Sequence, residues 1–170
     1  MKRSETGKRL LTLPNLLAGL IILLGVSLIG YFILFPAWGY FHSDCTDTIL
    51  WAQAGYDAGG LFNADFTYAC LLPFGGQLLM QPFIGLFGVS TTTHAIGMLL
   101  FLALFVTAAV CFCRSMKWSM SWTAIMVTAL LLLLSSSEKL REIFCAHIIY
   151  YSLGILFLLV GLALAFSTLN

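Results

Sequence analysis

The stretch "LLPFGGQLLMQPFIGLFG", residues 71–88, decides how the chain is threaded. It is apolar enough to enter a bilayer, yet it carries Pro73, Gly75, Gly76, Gln77, Gln81 and Pro82. A spanning helix has to satisfy its backbone polar groups internally. Breakers and amides at this density therefore suit a helix lying in the interface, or a re-entrant one, better than a full crossing. On that reading residues 37–93 are one long extracytoplasmic segment with interfacial helices.

The rest of the chain reads as lipid-facing helix. Mean hydropathy is +1.00, and 61% of residues are hydrophobic against 9% charged, which lies outside the range of soluble domains. Apolar runs at 16–35, 95–113, 120–134 and 144–166 approach the roughly 20 residues needed to cross a bilayer. The expectation is an all-α, polytopic transmembrane helical bundle of about four spans, a single membrane domain over residues 1–170. Lys2, Arg3, Lys8 and Arg9 precede the first run and predict a cytoplasmic N-terminus in a multi-pass protein of the cell membrane. No small-residue cleavage site follows that run, so it reads as a retained anchor. Charge does not settle the threading, because the basic residues divide six to two in favour of the inside whether or not 71–88 crosses. The net charge of +1 comes without a basic stripe, which argues against a nucleic-acid partner. Cys45, Cys70, Cys111, Cys113 and Cys145 follow no metal-site spacing and read as small apolar packers. Cys45 and Cys70 both fall in the outer segment, where a disulfide is an option.

No Lys or Arg occurs between Arg9 and Arg114, yet the outer segment holds Asp44, Asp47, Asp57 and Asp65. Acids without local partners in a membrane protein face water, a cavity or a ligand. In "FHSDCTDTILWAQAGYD", residues 41–57, the pattern after Asp44 predicts a helix stopped by Gly59 and Gly60. Asp44, Asp47, Trp51, Ala54 and Ala58 then share one face, which offers two carboxylates, an aromatic platform and a floor of small residues. Such a pair suits general-base work on an acceptor hydroxyl, with the second acid raising the pKa of the first or holding a divalent cation. A plainer alternative stands beside it, with Asp44 as N-cap and Asp47 as the third residue of the same helix. Trp51, Tyr56, Phe66 and Tyr68 read more readily as interface-belt aromatics than as a ligand cage. His42 lies two residues from Asp44 and is a candidate for the same pocket.

The order of these features resembles the membrane-embedded GT-C glycosyltransferases, which include the protein O-mannosyltransferases and the lipid A aminoarabinose transferases. It runs from a basic N-terminus and one span to an acidic motif leading into a W/Y-A-x-A helix. A Gly-rich turn, a Pro-containing apolar helix ending in "LFGVS" and a His opening the next span follow. Residues 72–100 keep the proline, the apolar helix and Phe87-Gly88-x-Ser90, but lack the lysine and double proline of the family's K-P-P-L-x-x-W-L pattern. The resemblance covers about residues 1–110 and implies a polyprenyl-phosphate-linked sugar as donor, with transfer on the outer face. It also implies that Asp44 or Asp47 is the catalytic acid of the first outer loop, with His42, Trp51 and Asp57 on the substrate. Members have many more than four spans, so the resemblance implies an N-terminal portion of a longer enzyme.

The first loop lacks a base to hold a donor phosphate. That role is expected of Lys139 or Arg141 in "SSSEKLREIFCAHIIYYS", residues 135–152, or of residues outside this sequence. The alternative for this turn is a solvated helix start, with Glu138 spaced to pair with Arg141. His147 reads as hydrogen-bonded packing. A second class of function is a non-enzymatic membrane protein, transporter-like or an assembly subunit, that binds a cation or a partner through the acidic loop. A transporter should carry ionisable groups at mid-span, and the four apolar runs hold no Asp, Glu, Lys or Arg.

Overall fold

The computed structural model describes residues 12–39, 41–68 and 75–169, and every regular element among them is helical. Helix α1, Leu13–Leu34, opens with Pro14 in its first turn, where the missing N–H costs nothing, and closes just before Pro36. A short α2, Pro36–Gly39, and a 3-10 turn, Ser43–Thr46, lead into α3, Asp47–Asp57. Helix α3 ends as its glycines predict. Gly59 takes φ +64, and Gly60 N–H returns to Gly55 O at 3.1 Å.

The described part of 71–88 forms a 3-10 turn, Gly76–Leu79, and the seven-residue α4, Gln81–Phe87, broken at Met80. Helix α4 is about 10 Å long, a third of a hydrocarbon core. Ser90 then caps α5, Thr91–Ser115, by accepting from Thr93 N–H at 3.2 Å. Lys117, at φ +62, turns the chain into α6, Met120–Ser135. Beyond Ser137 come α7, Glu138–Arg141, a π turn, Glu142–Ala146, and α8, Tyr150–Leu169.

Helices α1, α5 and α8 are long and apolar enough to cross a membrane. Helix α6 with its continuation 138–146, bent by 109°, makes a fourth candidate. The protein is thus a helical bundle of membrane type. Leu17, Leu20 and Leu24 on α1 and Phe157, Leu158 and Leu164 on α8 are exposed, as side chains bathed by lipid would be. Small residues bring α1 close to α6: a Cβ on Gly25 would meet Leu131 at 3.1 Å, and Thr128 Oγ1 donates to Ile21 O at 3.1 Å. On the other side α5 packs along α8.

The fourth apolar run was expected to be helical from Phe144, but α8 starts at Tyr150. The six residues in between fold into the bundle instead. Phe144 inserts edge-to-face against Phe105 at 5.5 Å, in a core with Ile29, Phe101 and Leu131. His147 is extended, at φ −124 and ψ 142. The backbone groups released from the helix find other partners: Ala146 O accepts from His94 Nε2 at 2.9 Å, and Ile148 N–H donates to Thr48 Oγ1 at 3.4 Å. Residues 41–57 and 138–149 therefore pack together at one end of the bundle.

Candidate functional site

His42 is built into its position by local backbone. Its ring Nδ1 accepts from Asp44 N–H at 3.3 Å, and its own N–H donates to Cys45 Sγ at 3.4 Å, so it caps the 3-10 turn from both directions. That turn points the Cys45 thiol inward, to 1% exposure. From the opposite side the π turn and extended residue 147 deliver an imidazole, and His147 Nε2 lies 3.1 Å from Cys45 Sγ. Ser152 Oγ donates to His147 O at 3.2 Å and steadies that strand of chain.

Glu142 links the two segments. Its side chain is 8% exposed; Oε1 lies 3.2 Å from His42 Nε2 and 4.0 Å from His147 Nε2. Lys139 Nζ donates to both of its oxygens at 2.8 Å. Since Nδ1 of neutral His42 is an acceptor, its Nε2 carries the proton and donates to Glu142. Burial holds His147 below its ordinary pKa against the pull of Glu142, with His42 adding to the depression. Burial also pushes the Cys45 thiol up.

The expected site residues divide. Asp44 is exposed at the mouth of this cluster, with Oδ1 accepting from Ser43 Oγ at 3.2 Å and Oδ2 lying 3.8 Å from His42 Nδ1. Asp47 is the first residue of α3, and its carboxyl is raised by burial and then by Asp44. The capping alternative does not match the backbone: the 3-10 turn is capped by His42, and α3 starts after Thr46 with no side-chain cap. Trp51 is buried and edge-on to Tyr68 at 6.0 Å, so it packs rather than offering an open platform. Asp57 sits about 15 Å along α3 from Asp47 and accepts from Gln53 Nε2. A hollow of about 690 Å³ lined by Tyr56, Gly60, Leu61, Leu78, Gln81 and Pro82 lies at that far end of α3.

Of the two basic candidates, Lys139 joins the cluster and Arg141 does not. Arg141 donates to Ser135 O at 3.0 Å, and its guanidinium covers the Phe32 ring at 5.1 Å. The ion pair in this turn is Lys139 with Glu142. Cys70, the expected disulfide partner of Cys45, lies outside the described residues, and Cys45 itself is a free thiol.

Cys45, Glu142 and His147 are the members that sequence reasoning missed. The donor atoms of His42, Cys45 and His147 all lie within 4.8 Å of one another, a group able to hold a metal ion. Cys45 and His147 are 102 positions apart, so no spacing motif signals the group. No family model, curated protein or solved structure matches the chain.

Proposed function

We propose that the bundle end bearing residues 41–57 and 138–149 is the working end of a membrane glycosyltransferase of GT-C type, which moves a sugar from a polyprenyl-phosphate donor to an acceptor hydroxyl. One observation carries this reading. The acidic loop and the Lys139 turn, far apart in sequence, share one hydrogen-bonded network through His42 and Glu142. The network thereby brings to the first loop, which has no Lys or Arg of its own, the cation of Lys139.

In the proposed reaction Asp44, the more exposed of the two acids, takes the proton of the acceptor hydroxyl as its oxygen bonds the anomeric carbon. The bond from that carbon to the donor phosphate oxygen breaks, its electron pair leaves with the phosphate, and Lys139 meets the added charge. A divalent cation accompanying this reaction would take oxygens of Asp44 and Asp47. The outer membrane face and a cytoplasmic N-terminus belong to the same proposal, supported by the six-to-two division of basic residues.

The test uses this chain in lipid nanodiscs with polyprenyl phosphate as the probe. Lys139→Ala should weaken binding by about tenfold or more, as expected for loss of a charge-assisted phosphate contact, and Lys139→Arg should retain it. Equal affinity of Lys139→Ala and the parent chain would overturn the assignment. A second reading, a non-enzymatic subunit holding a cation through this loop, is favoured by the His42, Cys45 and His147 group.

A further inference from the structure

We propose that His42, Cys45 and His147 form a zinc site, with Glu142 and Asp44 as its supporting carboxylates. The donor chemistry selects the ion. Two imidazoles and a thiolate suit Zn²⁺, whereas Mg²⁺ and Ca²⁺ take oxygens. The geometry is close to what such an ion needs. A tetrahedral zinc with bonds of about 2.0–2.3 Å holds its donors about 3.3–3.6 Å apart. Cys45 Sγ and His147 Nε2 are 3.1 Å apart, and no donor pair exceeds 4.8 Å.

The surroundings of His42 are those of a ligand. A metal-bound imidazole needs a partner for its other nitrogen, and His42 has a carboxylate on each side: Glu142 Oε1 is 3.2 Å from Nε2, and Asp44 Oδ2 is 3.8 Å from Nδ1. With Nδ1 on the ion, in exchange for its hydrogen bond from Asp44 N–H, the Nε2 proton still faces Glu142. Lys139 balances the charge of Glu142 from outside.

Access and anchoring are both present. Cys45 and His147 are buried on rigid turns, while the His42 side chain is 34% exposed, which leaves an entry path and a fourth coordination position for water or a Glu142 oxygen. Binding replaces the Cys45 thiol proton, which leaves to bulk water as the zinc–sulfur bond forms. This site does not rest on the transferase reading: Cys45 and His147 take no part in that reaction, although the two proposals share Asp44 and the pairing of His42 with Glu142.

The experiment takes the chain purified in detergent, stripped by a chelator, and reloads it with Zn²⁺ for elemental analysis and with Co²⁺ as a spectroscopic probe. The expected result is one ion per chain and a tetrahedral Co²⁺ spectrum with a thiolate-to-metal charge-transfer band. Cys45→Ser should remove that band, and His147→Ala should remove stoichiometric binding. Cys111→Ser, which changes an exposed thiol on α5, should leave both unchanged. Glu142→Gln should weaken binding by about 10–100-fold, as loss of an outer-shell carboxylate does. Protection of Cys45 from alkylation by Zn²⁺ in the parent chain gives a reading that needs no variant. A parent chain that takes up no stoichiometric metal, a Co²⁺ spectrum without the thiolate band, or unprotected Cys45 would each overturn the site.

Discussion

Asp44 and Asp47 lie three positions apart yet in different surroundings, and their variants should behave differently. Asp44 caps no helix, so Asp44→Asn and Asp44→Ala should both leave the melting temperature in detergent almost unchanged, within about 0.5 kcal/mol. In an assay of transfer from a lipid-linked sugar, both should lower activity by about a hundredfold or more if Asp44 is the base. Full activity of Asp44→Asn would remove it from that role. Asp47 has a folded-state pKa raised by burial and by Asp44. A raised acid favours folding while it is protonated, and that advantage is lost as pH rises from the ordinary carboxylate value through the folded one. At neutral pH the charge is a net cost, so Asp47→Asn should melt at or above the parent temperature, and the gap should narrow on acidification. A lower melting temperature for Asp47→Asn at neutral pH would contradict this. The acids themselves were legible in the sequence because they are so rare in this chain. Which one is exposed was not, since one turn of 3-10 helix separates their environments.

At the level of elements, the decisive contact is between the first loop and residues 146–149. Thr48 is fully buried and accepts the Ile148 N–H. Thr48→Val keeps the volume and removes the acceptor, so the docked loop should lose about 1–3 kcal/mol, seen as a lower melting temperature and faster exchange of the Ile148 amide. Gly76 makes the same contact from the other side: a Cβ there would collide with the Ile148 carbonyl oxygen and Cγ2. Backbone cannot move aside as a side-chain tip can, so Gly76→Ala should cost about 1–3 kcal/mol by the same measurements. Two variants with parent-like exchange at Ile148 would show that the loop is not docked this way. The end of α3 at Gly59 was readable from sequence, because a left-handed cap has a residue preference of its own. The late start of α8 was not, because an apolar run carries no mark of where tertiary contacts pull it out of helix.

For the whole molecule, the fold places Asp57 and Lys117 at opposite ends of α5, a helix about 37 Å long. In a cysteine-free background, single cysteines at positions 57 and 65 should label from one side of sealed vesicles and a cysteine at 117 from the other. The orientation proposed above expects 57 and 65 on the outer side. Labelling of 57 and 117 from the same side would break the threading and return residues 71–88 to the status of a span.

The sequence alone determined that this is a helical membrane chain, roughly where its long helices run and that its aspartates gather in one loop. Those features depend on local hydropathy, on helix breakers and on the expense of charge in lipid, all of which act over a few neighbouring residues. The tertiary structure alone decided that Lys139 rather than Arg141 meets that loop, that Glu142 bridges it to His42, and that Cys45 and His147 stand 3.1 Å apart. Those contacts arise because α1, α5, α6 and α8 bring two distant turns to the same end of the bundle, and no residue spacing encodes a meeting that depends on how helices pack.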